Sequence, residues 1–157
     1  MSLYQPKQEM KNFITILFFI GTLHTVQSQQ KYACSPDELA FYGNDLVSYY
    51  ENEVLKGKKE FAYNYDELKL EFANQENLEK FKNNPKKYLP EYGGWCAIAL
   101  ANGSLVQPDF NHYKVQNGQL LFFEVRAFFN GKTAWDKDPD INKIVADKKH
   151  AQIFDKD

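Results

Sequence analysis

The chain has 157 residues, with 19 Lys and Arg against 21 Asp and Glu and a net charge of −2. It holds a single Arg, Arg126, so it lacks the forked guanidinium groups that grip phosphate, which excludes a nucleic-acid binder. Thirteen Phe, ten Tyr and two Trp supply apolar bulk for one packed domain and exclude wholesale disorder.

Phe13 to Leu23 is an apolar run behind Lys7 and Lys11. It is too short for a bilayer, which takes about 20 residues, and has the form of a secretory signal core. Val26-Gln27-Ser28 is a small-residue cleavage pattern. Residues 1–28 are therefore expected to leave as a signal peptide, whether translation starts at Met1 or Met10. Cys34 is set apart from the apolar run by the polar stretch Gln27 to Lys31, which argues against a lipid anchor. The product is expected to be exported, periplasmic or extracellular, with no stable membrane insertion after cleavage. The rest of the chain divides into a lead-in over 29–40, a domain over 41–150 and a C-terminal tail over 151–157.

Gly43-Asn44-Asp45 is turn chemistry, and Leu46 to Tyr50 reads as a short strand rich in aromatic and β-branched residues. Phe61 to Tyr65 and Leu68 to Phe72 alternate apolar and polar residues, and Asp66-Glu67 between them predicts a hairpin. Asn74 is placed to cap a short helix whose apolar stripe is Leu78 and Phe81, ended by Pro85. Trp95 to Ala101 is an apolar, buried segment whose periodicity leaves helix and strand open. Asn117-Gly118 between two apolar runs is the strongest short hairpin signal. Residues 126–135 can start a helix through Phe128, Phe129 and Trp135. The last helix begins at Asp138-Pro139-Asp140, with Asp140 as its cap and Ile141, Ile144 and Val145 on one face. Two hairpins with short helices make an α+β domain.

Outside the leader the Cys and His inventory is Cys34, Cys96, His112 and His150. No pair has short zinc-finger spacing. In an oxidising compartment a Cys34–Cys96 disulfide would close a loop of about 60 residues, worth ~4 kcal/mol in the chain-entropy model. A buried Cys96 with a free Cys34 is the alternative.

Three stretches resemble exported YHS-domain proteins. Gly43 to Tyr50 is similar to the family's G-x-D-P-V-x-Y-F opening. Tyr65 to Tyr88 resembles its centre through Phe72, Glu76-Asn77, Phe81, Pro85, Lys87 and Tyr88. Tyr92-Gly93-Gly94-Trp95-Cys96-Ala97 is similar to its Y-G-G-x-C-A signature. The likeness covers about residues 40 to 147. The family's metal-binding branch carries cysteines where this chain has Ser48, Ala73 and Asn77, Leu46 replaces a Pro, and Glu67 stands where Gly is common. The resemblance therefore implies the α+β scaffold and Cys96 in its loop, without the soft-metal thiolates.

Gly93-Gly94 lets backbone approach a ligand, with Tyr92 and Trp95 as walls and Cys96 as metal ligand or thiol, or else the glycines only turn the chain and Cys96 is packing. Asp45 with Ser48 and Tyr49 is a second polar candidate, or else a turn in which the carboxylate holds backbone amides. His112 is a weak metal ligand or a surface imidazole. His150 reads as solvated helix surface and Arg126 as a surface ion pair. No G-x-S-x-G, phosphate loop or H-E-x-x-H occurs, which lowers the expectation of an enzyme. The expected function is an exported, non-catalytic module of YHS type that binds a small molecule or metal ion. Its ligand residues are Asp45, Tyr49, Tyr92, Trp95 and Cys96, and its metal candidates Cys96 and His112. The cofactor is unknown. Two other readings stand beside this one: a structural or protein-interaction domain stapled by Cys34–Cys96, and a thiol redox protein using Cys96.

Overall fold

The computed structural model describes residues 30–34 and 38–155. The expected signal peptide and its cleavage site lie outside the described residues. The fold is α+β, as the pattern predicts. Strands β1 (Lys58–Tyr65) and β2 (Leu68–Phe72) form one antiparallel hairpin, and β3 (Asp109–Gln116) and β4 (Gln119–Phe123) form a second. A third, two-residue ladder joins β5 (Val125–Arg126) to β6 (Phe129–Asn130). The helices are α1 (Gln75–Asn83), α2 (Pro85–Tyr88), α3 (Ala97–Ala101), α4 (Gly131–Trp135) and α5 (Pro139–Phe154).

The hairpin turns obey their residue chemistry. Asn117 and Gly118 both take left-handed φ, at 52° and 78°, as a two-residue primed turn requires. Asn74 caps α1 by accepting the Asn77 amide at 2.8 Å, and α1 buries Leu78 and Phe81. Pro85 opens α2 at its first turn, where its missing N–H costs nothing.

β4 organises the interior. Its side chains alternate between two clusters, because successive residues of a strand point to opposite faces. Leu120 and Phe122 join Phe41, Leu46, Tyr49, Phe72, Phe81 and Phe110. Leu121 and Phe123 join Cys96, the α3 alanines, Trp135 and Ala146. This is why the Leu120–Phe123 run is apolar throughout: both faces are covered. In the first cluster the Phe110 and Phe122 rings meet edge to face at 4.9 Å, and Tyr49 meets Phe122 at 5.1 Å.

Four expectations are corrected. Leu46 to Tyr50 is not a strand; Ser48–Glu51 is a 3₁₀ turn. Local bonds win there, since Asp45 Oδ1 accepts the Val47 amide at 2.8 Å and Asp45 O accepts the Ser48 hydroxyl at 2.7 Å. The 126–135 helix is confined to α4, and Phe128, fully exposed, sits in the β5–β6 turn. Asp140 lies inside α5, which follows Asp138 with Pro139 in its first turn and has no side-chain cap. Ile141 and Ile144 face solvent, at 57% and 67% exposure, and Ala146 is the buried residue of α5. The helix packs on α3, where small side chains on both partners permit close approach, so its inward stripe is not its most apolar one.

The expected tail is also helical up to Phe154. The lead-in belongs to the domain: Tyr32, Ala33 and Ala40 are buried, and Leu39 makes a parallel bridge with Lys69 of β2.

Candidate functional site

The Tyr92-Gly93-Gly94 stretch is a tight left-handed turn, with φ of 57°, 63° and 84°. Glycine is at ease there, whereas Tyr92 is strained by roughly 1–2 kcal/mol. Its surroundings hold it in place. The Tyr92 ring is buried, its hydroxyl donates to Asp147 Oδ1 at 2.8 Å, and the Lys143 ammonium sits 5.6 Å from the ring centroid. Burial and the neighbouring Asp147 push the Tyr92 hydroxyl pKa up, so it stays a donor.

The two glycines serve packing. A Cβ on Gly93 would lie 2.0 Å from the Lys31 carbonyl oxygen, and one on Gly94 2.7 Å from the Phe41 ring. Residues 30–34 cross over the turn as a strap. The Ala33 amide donates to Gly93 O at 2.9 Å, Trp95 Nε1 donates to Gln30 O at 3.2 Å, and Lys31 pairs with Asp66 at 2.8 Å. The backbone that Gly93 admits is thus the chain's own.

Strap, turn and the end of α5 enclose a groove of about 530 Å³. Tyr32, Leu89, Pro90, Tyr92, His150 and Phe154 give it aromatic and apolar walls, and Lys31, Lys86, Glu91 and Asp155 bring charge to it. The His150 ring lies 5.7 Å from Tyr92 and 4.9 Å from Phe154, so the three rings make a row. Residues 150 and 154 are one helical turn apart on α5, which places both on the same side.

Of the five expected ligand residues, only Tyr92 lines this groove. Trp95 anchors the strap. Asp45 is fully buried, and its carboxylate is saturated: Oδ1 accepts Val47 N, and Oδ2 accepts Ala73 N at 2.9 Å and Asn77 Nδ2 at 2.6 Å. Tyr49 is equally buried, donating to Phe110 O and accepting from Asn44 Nδ2, both at 2.9 Å. Both are structural, and the turn reading of Asp45 extends to long-range partners. Ser48, Ala73 and Asn77, the three positions where the resemblance places metal thiolates, all bond to Asp45.

Cys96 points away from the groove. It has no exposed surface, and its Sγ accepts the Glu124 amide at 3.2 Å. Burial raises its pKa, the opposite of what a reactive thiolate needs. Cys34 is half-buried, its pKa raised first by burial, and it packs against the first cluster while Cys96 belongs to the second. Both thiols are free, so the disulfide staple is absent from this structure. In native protein at neutral pH, iodoacetamide is expected to label Cys34 first. Cys96 should react only at the rate of global unfolding, read as mass gain against time with and without denaturant.

Cys96 and His112 do not meet as a metal pair. Cys96 bridges Phe122 on one side of β4, and Tyr113, next to His112, pairs with Phe122 on the other. His112 Nδ1 bonds Asp109 Oδ2 at 3.0 Å. Among the described residues no group of three or more His, Cys, Asp and Glu is placed to hold a metal ion, and no helix is long and apolar enough to cross a membrane. Arg126 forms the ion pair expected of it, but only its own side is at the surface: the partner, Glu124, is buried.

His150 and Phe154 were missed from the sequence, where they read as solvated surface and tail. Their spacing of four, following Asp147 and Lys143 on the same helix, was the available signal. Comparison with protein-family models, with curated proteins and with solved structures finds no match to this chain.

Proposed function

We propose that this protein is an exported, non-catalytic module of YHS type that holds a small organic molecule in the groove beside Tyr92. The observation that carries the reading is the groove itself. Its volume of about 530 Å³ is within the range of small-molecule sites, and its walls are aromatic with a few charges at hand, the usual anatomy of such sites. It is built on the Tyr92-Gly93-Gly94 turn, one of the stretches that carry the family likeness. The gathering of Ser48, Ala73 and Asn77 around Asp45 also supports the YHS reading: the Ser48 hydroxyl donates to the Asp45 backbone carbonyl, and the Ala73 amide and Asn77 side chain donate to its carboxylate. A small molecule is favoured over a metal ion because Cys96 and His112 lie on opposite sides of β4.

The test is native mass spectrometry of the chain produced with its leader in an exporting host. Wild type should carry a small organic adduct that denaturation removes, and Phe154→Ala, a change at the half-buried end of α5, should lose it while keeping its melting temperature. The denatured mass should begin at Gln29. A bare native mass, or an adduct of metal mass, overturns the groove reading, and a retained leader overturns the export reading.

A further inference from the structure

We infer that the groove takes a flat aromatic carboxylate, with its ring against the Tyr92, His150 and Phe154 row and its anionic end at Lys86. This rests on the groove reading above and adds the ligand's chemical class.

The walls argue for the aromatic body. Both tyrosine hydroxyls at the groove are already donated to the fold, Tyr92 to Asp147 and Tyr32 to Asp66 at 3.2 Å. The rings therefore offer carbon, and Leu89, Pro90 and Phe154 extend that surface. A sugar or other polyhydroxyl ligand would leave its own polar groups unmet against such walls. An aromatic ring gains offset or edge contacts with the row.

The charges argue for one anionic end. Lys31 is paired with Asp66, while Glu91 is oriented by the neutral Gln119 side-chain amide and keeps its negative charge. Among the described residues Lys86 has no ion-pair partner, and it is exposed. Asp155 follows α5, whose last carbonyls give that end the same negative sign. The carboxylate is therefore directed to Lys86 and away from Glu91 and Asp155. Cationic ligands meet two occupied ring faces, because the Lys143 ammonium already sits over Tyr92 and the Lys31 ammonium over Tyr32 at 4.9 Å.

The experiment titrates the exported protein at low salt with three probes of one shape: 2-naphthoate, 2-naphthylmethanol and 2-naphthylmethylammonium, read by calorimetry. Naphthoate should bind about tenfold tighter than the ammonium, because reversing the ligand's sign counts the rim charge twice. The alcohol should fall between them. Lys86→Glu should reverse the order and leave the alcohol unchanged. Lys137→Glu, the same charge change at another exposed lysine, should leave the order intact, and Phe154→Ala should weaken all three. If the ammonium binds as tightly as naphthoate, the carboxylate inference falls while the groove reading stands. The same holds if Lys137→Glu acts as strongly as Lys86→Glu. If none of the three binds, both fall.

Discussion

Asp45→Ala is expected to destabilise the protein by about 3–5 kcal/mol, a large part of the 5–15 kcal/mol that holds a typical domain together. The carboxylate has no exposed surface and takes three N–H donors, from Val47, Ala73 and Asn77. Alanine leaves the Val47 and Asn77 donors buried and the Ala73 amide half-buried, all without an acceptor. It also cuts the tie between the Asp45–Ser48 turn and the junction of β2 with α1, 28 and 32 residues further along the chain. Denaturant melts read the loss, and amide exchange at Ala73 locates it. Asp45→Asn should cost less, because one carbonyl oxygen remains to accept, yet its amide hydrogens then face a donor. A ligand-binding Asp45 would behave in the opposite way, with lost affinity and an unmoved melting curve. That second pattern would return Asp45 to the site and sink its structural assignment.

The parts of the fold legible in the sequence are those fixed by short-range chemistry. Asn117-Gly118 set the second hairpin because only a few residue pairs take two left-handed positions in succession. Asn74 marked the start of α1, and the alternation in Leu68 to Phe72 marked β2. The parts that were not legible depend on what lies opposite. Leu46 to Tyr50 has strand composition, yet Asp45 recruits its amides into a turn. Ile141, Ile144 and Val145 make the more apolar face of α5, yet Ala146 faces inward because closeness to α3 outweighs side-chain size. Periodicity could not distinguish helix from strand for Trp95 to Ala101, since every side of that segment is covered.

The candidate site was legible to the same degree. The Tyr92 to Cys96 stretch lies beside the groove, but the left-handed turn puts only Tyr92 and Gly93 on its wall and sends Cys96 beneath β4. No local pattern reports that a strap 60 residues upstream and a helix end 60 residues downstream close the other walls, for those are tertiary facts. The figures of roughly 60 are distances along the chain, far beyond the reach of helix or hairpin signals.

The strap yields the second large effect. Gly93→Ala is expected to release it, lowering stability by about 3 kcal/mol and the melting temperature by on the order of 10 °C. The new Cβ would meet backbone, the Lys31 carbonyl oxygen at 2.0 Å, at a residue whose φ of 63° already disfavours a side chain. No rotamer relieves a backbone clash, so residues 30–34 must move. The Ala33–Gly93 bond, the Trp95–Gln30 bond and the burial of Tyr32 go with them. Exchange at the Ala33 amide should rise and the Trp95 emission should shift. Acid gives an independent check on the same contact. The Asp66 carboxyl is held below its ordinary 3.8, first by Lys31 and then by Tyr32. Their clamp is therefore complete above the unfolded value and is lost as pH falls through the lower folded one. Wild type should begin to expose the Ala33 amide below about pH 4. In Gly93→Ala that acid step should be missing, because the strap has already left. If Ala33 stays protected in the variant, the turn has moved instead, and the glycine is needed for the conformation of residues 92–94 rather than for the chain that crosses them.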